Sequence, residues 1–312
     1  MNPAEDGHGF LDTAIADGRP LLILAAVLLL VSGAFVIFQA ASGELLPHDA
    51  VYLGMTANEL CALHGCRVLH FMIHDRVSFG GVLVAVGVVY AWLTLFPLRR
   101  GESWAWWTLA LSGLAGFLSF LSYLGYGYLD TWHGAATLTL LPIFAGGLIR
   151  ARALRHVRVE PRRLDFQSAG GIGGALLLLA SAGIAIAGVV IMTVGMTTVF
   201  VPQDLTFIGA TSAALGGINP HLLPLIAHDR AGFGGALVSF GVAMFGCVRY
   251  ARPSRALWQA LALAGLAGFS TAIGVHPAIG YLSVTHLGPA VLGGVVFAVG
   301  LAMAARAPRT QP

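Results

Sequence analysis

The chain has 312 residues, of which 57 % are hydrophobic and 10 % charged, with a mean hydropathy of +0.82. Soluble domains carry about 25 % charged residues, and the apolar runs here reach the roughly 20 residues that cross a bilayer. Soluble globular, disordered, coiled-coil and disulfide-scaffold classes are therefore excluded. The net charge of +3 and pI near 9.0 do not indicate nucleic acid, because all the basic residues are arginines clustered between apolar runs.

In chain order the apolar runs cover roughly 20–42, 70–96, 104–124, 129–149, 169–199, 222–248, 257–275 and 280–304. The first is preceded by acidic residues and followed by no small-x-small site, so it reads as a span and not as a cleaved leader. The connections alternate in charge. Those at Arg99–Arg100, Arg150–Arg163 and Arg249–Arg255 hold most of the arginines; the opposite connections hold only Arg67. The positive-inside rule then places both termini and the Arg-rich loops in the cytoplasm. A multi-pass protein of the cell (inner) membrane is expected, with the lipid bilayer as its first partner. The outer stretches 43–69 and 200–221 are too polar for lipid. In the first, Thr56-Ala57-Asn58-Glu59 reads as a capping box that opens a short helix.

The chain matches itself. His74-Asp75-Arg76-x-x-Phe79-Gly80-Gly81 returns as His228-Asp229-Arg230-x-x-Phe233-Gly234-Gly235. Gly113-Leu114-Ala115-Gly116-Phe117 returns at Gly265–Phe269, and Gly127-Tyr128-Leu129-x-x-x-His133 at Gly280–His286. Pro47-x-Asp49 and Gly54-x-Thr56 match Pro202-x-Asp204 and Gly209-x-Thr211. This ordered set predicts a duplication with four spans per half. Both halves then cross in the same direction, the parallel type of repeat. The expected fold is all-α: eight transmembrane helices in two tandem pseudo-symmetric four-helix bundles, residues 1–158 and 159–312.

Nine of the eleven histidines fall at the outer ends of spans or in outer loops: His48, His64, His70, His74, His133, His221, His228, His276 and His286. Two positions occur in both halves, His74 with His228 on the second span and His133 with His286 on the fourth. Bundle cores build cofactor sites from facing helices, and imidazole is a common axial ligand of haem iron. The pairs His74/His133 and His228/His286 thus read as two bis-His sites for b-type haem, with Gly81 and Gly235 leaving room for the macrocycle. The competing structural reading is polar histidines bonded between close-packed helices. Arg76 and Arg230 have two readings of equal weight. They bind haem propionates, or they clamp the halves through Asp229 and Asp75. Cys61 and Cys66, in the first outer loop, are compatible with a disulfide, with redox thiols, or with a metal site shared with His64 and His70.

This layout resembles the haem A synthase family. The likeness spans nearly the whole chain and rests on His74, His133, His228 and His286, on the loop pair Cys61 and Cys66, and on Arg76 and Arg230. It implies haem bound in each half and a haem substrate or respiratory electron donor as partner. The family pattern is Glu-x-x-His-Arg; here Phe71 stands at the glutamate and Asp75 separates His74 from Arg76, which points to a relative that lacks the synthase reaction. The expected function is a haem-binding membrane oxidoreductase or electron-transfer protein. The alternatives are a transporter with parallel duplicated halves and an outer-face non-haem metal-binding protein. Whether the chain forms an oligomer is left open.

Overall fold

A computed structural model of the chain describes residues 15–119, 121, 128 and 131–305, the side chains of 131–133 excepted. Among these residues the fold is all-helical, apart from one isolated bridge between Glu102 and Val157. The first half contains α1 (Arg19–Ala41), the short α2 (Pro47–Leu53) and α3 (Ala57–Cys61), then α4 (Arg67–Leu93), α5 (Ser103–Ser119) and α6 (Thr131–Ala151). The second half repeats that order with α7 (Ala169–Met196), the short α8 (Pro202–Ile208) and α9 (Ser212–Ile218), then α10 (Leu222–Tyr250), α11 (Arg255–Ile279) and α12 (Val284–Ala304). Seven described helices are long and apolar enough to cross a membrane, as expected of a multi-pass membrane protein. The expected eighth span is α5. Its 17 residues end at Ser119, and most of 120–130 lies outside the described residues.

Helices α4 and α10 form the centre. In their membrane-length stretches 61 % and 78 % of residues are buried, against 17–28 % in the other five. Each centre helix touches the first helix of its own half backbone to backbone. A Cβ on Gly80 would sit 2.7 Å from the Gly33 carbonyl oxygen, and one on Gly234 would sit 2.6 Å from that of Gly188. Small residues at such crossings let membrane helices pack closely without a hydrophobic drive.

The third long helices cross over. Helix α5 packs on α10, and α11 packs on α4. This corrects the expectation of two self-contained four-helix bundles: the halves interlock. The reason lies in adjacent small residues. Gly80 and Gly81 point about 100° apart on one helix, so α4 receives α1 on one face and α11, through Thr271, on the next. In the lower core, hydroxyls of Tyr90, Ser112 and Ser239 join α4, α5 and α10 at 2.7–3.3 Å.

The short helices cap the end opposite the Arg-rich loops over a second apolar cluster that includes Leu60, Phe71, Phe200, Ile208 and Leu215. The predicted capping box is present: Glu59 N donates to Thr56 Oγ1 at 3.2 Å and Thr56 N to Glu59 Oε2 at 2.8 Å. Bonds from the Thr56 backbone and hydroxyl hold the Glu59 carboxyl below the ordinary carboxylate range. Cys61 and Cys66 are joined in a disulfide that ties α3 to the start of α4.

Candidate metal centre

Two turns into α4, His74, Asp75 and Arg76 face the matching triplet His228, Asp229 and Arg230 of α10. The arginines cross between halves. Arg76 bonds Asp49 at 2.7 Å and Asp229 at 2.8 Å; Arg230 bonds Asp204 at 2.7 Å and Asp75 at 3.2 Å. The Tyr128 and Tyr281 hydroxyls donate to Oδ1 of Asp49 and of Asp204, each at 2.7 Å. Burial, with the Asp204 carboxylate beside it, pushes the Tyr281 phenol above its usual range. His74 Nδ1 lies 2.9 Å from Asp75 Oδ1 and His228 Nδ1 lies 3.2 Å from Asp229 Oδ1. Asp49, Asp75 and Asp204 are at most 2 % exposed and Arg230 is 5 % exposed. Buried charges are tolerated only when paired and hydrogen-bonded, and here each arginine holds two carboxylates. Four carboxylates thus share two guanidiniums at this end of the core.

One side of this network adds three imidazoles. His74 on α4, His276 near the end of α11 and His286 near the start of α12 offer ligand nitrogens that all lie within 4.8 Å of one another. Their ring centres are 4.5, 5.3 and 5.4 Å apart. For nitrogens at roughly 2.0–2.1 Å from a tetrahedral metal, ring centres fall about 5.2 Å apart. A turn at Gly280 (φ +77°) brings α11 back as α12 and sets His276 and His286 side by side. One ring is already oriented by a carboxylate: His74 Nδ1 bonds Asp75 Oδ1. A carboxylate can only accept, so Nδ1 of His74 carries the proton and its Nε2 is left as donor to a metal. His286 Nδ1 lies 3.5 Å from Asp204 Oδ1, an electrostatic contact. His276 is 3 % exposed; the Ala272 carbonyl one turn earlier is a hydrogen-bonding neighbour of one ring nitrogen, which leaves the other for a metal.

The predicted site residues are thus rearranged. His74 sits with His276 and His286 of the other half. His228 lies against Tyr128, ring centres 5.0 Å apart, and Asp229, so the expected pairing of His228 with His286 is corrected. The side chain of His133 lies outside the described residues. Arg76 and Arg230 hold aspartates of both halves where haem propionates were expected; Arg230 also bonds the Val199 carbonyl at 2.9 Å and stacks over Phe71. Gly81 and Gly235 line no slot: Thr271 and Ser119 fill the space beside them. As packed, these residues do not fit a haem macrocycle.

Sequence reasoning missed Asp49, Asp204, Tyr128 and Tyr281 as partners although the repeat contained them. It missed His276 because that residue has no histidine counterpart in the first half. Its position ten residues before His286, at the same membrane face, was the available signal. Comparison with protein-family models, curated proteins and solved structures returned no match for this chain.

Proposed function

We propose that this chain is a multi-pass membrane metalloprotein with a non-haem centre near its outer face. His74, His276 and His286 hold one divalent transition-metal ion. The carrying observation is the set of three converging imidazoles: His74 hydrogen-bonded to Asp75, His286 beside Asp204, and His276 buried between them. Neutral imidazoles suit zinc, copper, nickel or iron(II). Three protein ligands leave a fourth position open, the arrangement of catalytic and not structural zinc sites. The nearby carboxylates supply the opposing charge. Arginines at one end of the helices and the Cys61–Cys66 disulfide at the other support an orientation with the Arg-rich loops in the cytoplasm. The matched motifs and the matched charge network support descent of the two halves from one ancestral half. The haem and transporter readings have less support: the polar groups are packed without a slot, and α4 and α10 run unbroken with their charges near the outer end.

Protein purified in detergent without chelator, stripped, and reloaded with zinc, copper or iron(II) should hold one ion per chain by elemental analysis. His276→Ala should abolish this. A chain that takes up no metal, or takes it up equally in that variant, sinks the proposal. A Soret band in its absorption spectrum would restore the haem reading.

A further inference from the structure

At the Arg-rich end, far from the metal centre, a groove of about 730 Å³ opens between α5, α10 and the linker that follows α6. Its wall is apolar. Trp107 and Leu111 lie four residues apart on α5, and Val242 and Phe245 three apart on α10, so each pair runs along one helix face. Trp107, Leu111 and Phe245 are 52 %, 55 % and 44 % exposed, large apolar surface with no protein against it. The rim is made by Arg155, His156 and Arg158, and its two arginines are cationic.

This rim is built, not loose. Val157 N bonds the Gly101 carbonyl at 2.9 Å, and Ser103 N bonds the Val157 carbonyl at 2.9 Å. The Arg155 guanidinium lies 4.4 Å from the Trp106 ring centre and 5.5 Å from that of Trp107. Its Nε donates to the Arg152 carbonyl at 3.2 Å, which leaves its terminal N–H groups for another acceptor. Arg158 makes no ion pair among the described residues. The carboxylate of Glu102 does not compete, because Arg100 at 2.7 Å and Trp104 at 2.6 Å occupy it.

We propose that this groove binds one anionic phospholipid of the Arg-rich leaflet. Its phosphate sits between Arg155 and Arg158, and an acyl chain runs over Trp107, Leu111 and Phe245. Basic pockets between helices on the cytoplasmic side recognise anionic headgroups, and that leaflet supplies them. The apolar wall favours a lipid over a free phosphate ion. One lipid per chain is expected, whatever the metal centre holds.

The test is a titration of the full-length, detergent-purified chain with phosphatidylglycerol, phosphatidylcholine or inorganic phosphate, read by native mass spectrometry and by thermal unfolding. Phosphatidylglycerol should bind one per chain and raise the unfolding temperature; the other two should not. Arg155→Gln/Arg158→Gln should weaken binding about 25-fold, near five-fold per arginine, and Arg158→Gln alone about five-fold. Arg252→Gln/Arg255→Gln on the next loop should leave it unchanged. Equal binding of phosphatidylcholine, full competition by inorganic phosphate, or unaltered affinity in the double variant overturns the proposal.

Discussion

Around Arg76 stand Asp49, Asp229, Tyr128 and His228; around Arg230 stand Asp204, Asp75, Tyr281 and His74. These residue types agree one for one, and each arginine uses Nε for the aspartate of the other half. Among the described residues the second cluster gathers His276 and His286 beside His74, whereas the first has His48, with Nε2 3.3 Å from Asp49 Oδ1. A shared scaffold of paired charges therefore stands on both sides, and the proposed metal centre is built against one of them. A site need not be repeated because its framework is.

The sharpest way to break this comparison is to exchange histidines. His276→Ala should lower metal affinity by more than 100-fold, beyond the 10–100-fold that outer-shell changes cost. His228→Ala should leave metal content intact, as elemental analysis of purified variants would register. Equal loss in both would mean that the clusters share one function. The carboxylates separate structure from ligand support. Asp75→Asn and Asp229→Asn should each cost about 2 kcal/mol of stability, the worth of a hydrogen bond to a charged group. Only Asp75→Asn should also weaken metal binding 10–100-fold.

The disulfide is a third asymmetry, since the second half has no counterpart to Cys61 and Cys66. Cys61→Ser/Cys66→Ser should lower stability by about 2 kcal/mol for so short a loop, with denaturation in detergent as the measure. Tyr281→Phe and Tyr128→Phe each delete one bond to an aspartate and should cost about 2 kcal/mol apiece. Metal affinity should fall only for Tyr281→Phe, because Asp204 lies beside His286.

The smallest effect separates the two caps. Thr56 is followed three residues on by Glu59, whereas Thr211 is followed by Ala214, whose N–H still bonds Thr211 Oγ1 at 3.2 Å. Glu59 has a depressed folded value, so its contribution is complete above the ordinary carboxylate range of about 4.3 and is lost as pH falls through the lower, folded value. Amide exchange in α3 should rise on such acidification while that in α9 does not, and Glu59→Gln should remove the dependence.

The spans were legible because bilayer length and hydropathy act on each segment alone. The capping box was legible because its partners are three residues apart. The contacts between helices were not: Gly80 and Gly81 announce close neighbours without naming α1 or α11. Arg76 and Arg230 likewise announce carboxylates, and a ligand's carboxylate looks the same from sequence as an aspartate from the other half. Self-matching drew attention to His74, His228 and His286, and by the same criterion passed over His276, which only the α11–α12 turn makes a neighbour.

The crossed arginine pairs carry a consequence for synthesis. Arg76 and Asp229 are 153 residues apart, which a ribosome working at roughly 5–20 residues per second needs about 8–30 s to cover. Throughout that interval α4 has entered the bilayer with its distant partner still unmade. Asp49, only 27 positions upstream of Arg76, is already available, and the short helix α2 delivers it. Asp75 has no such early arginine and must wait for Arg230. The short helix α2 thus gives Arg76 a partner from within the first half, which the finished fold keeps, while Asp75 depends on the second half for its arginine.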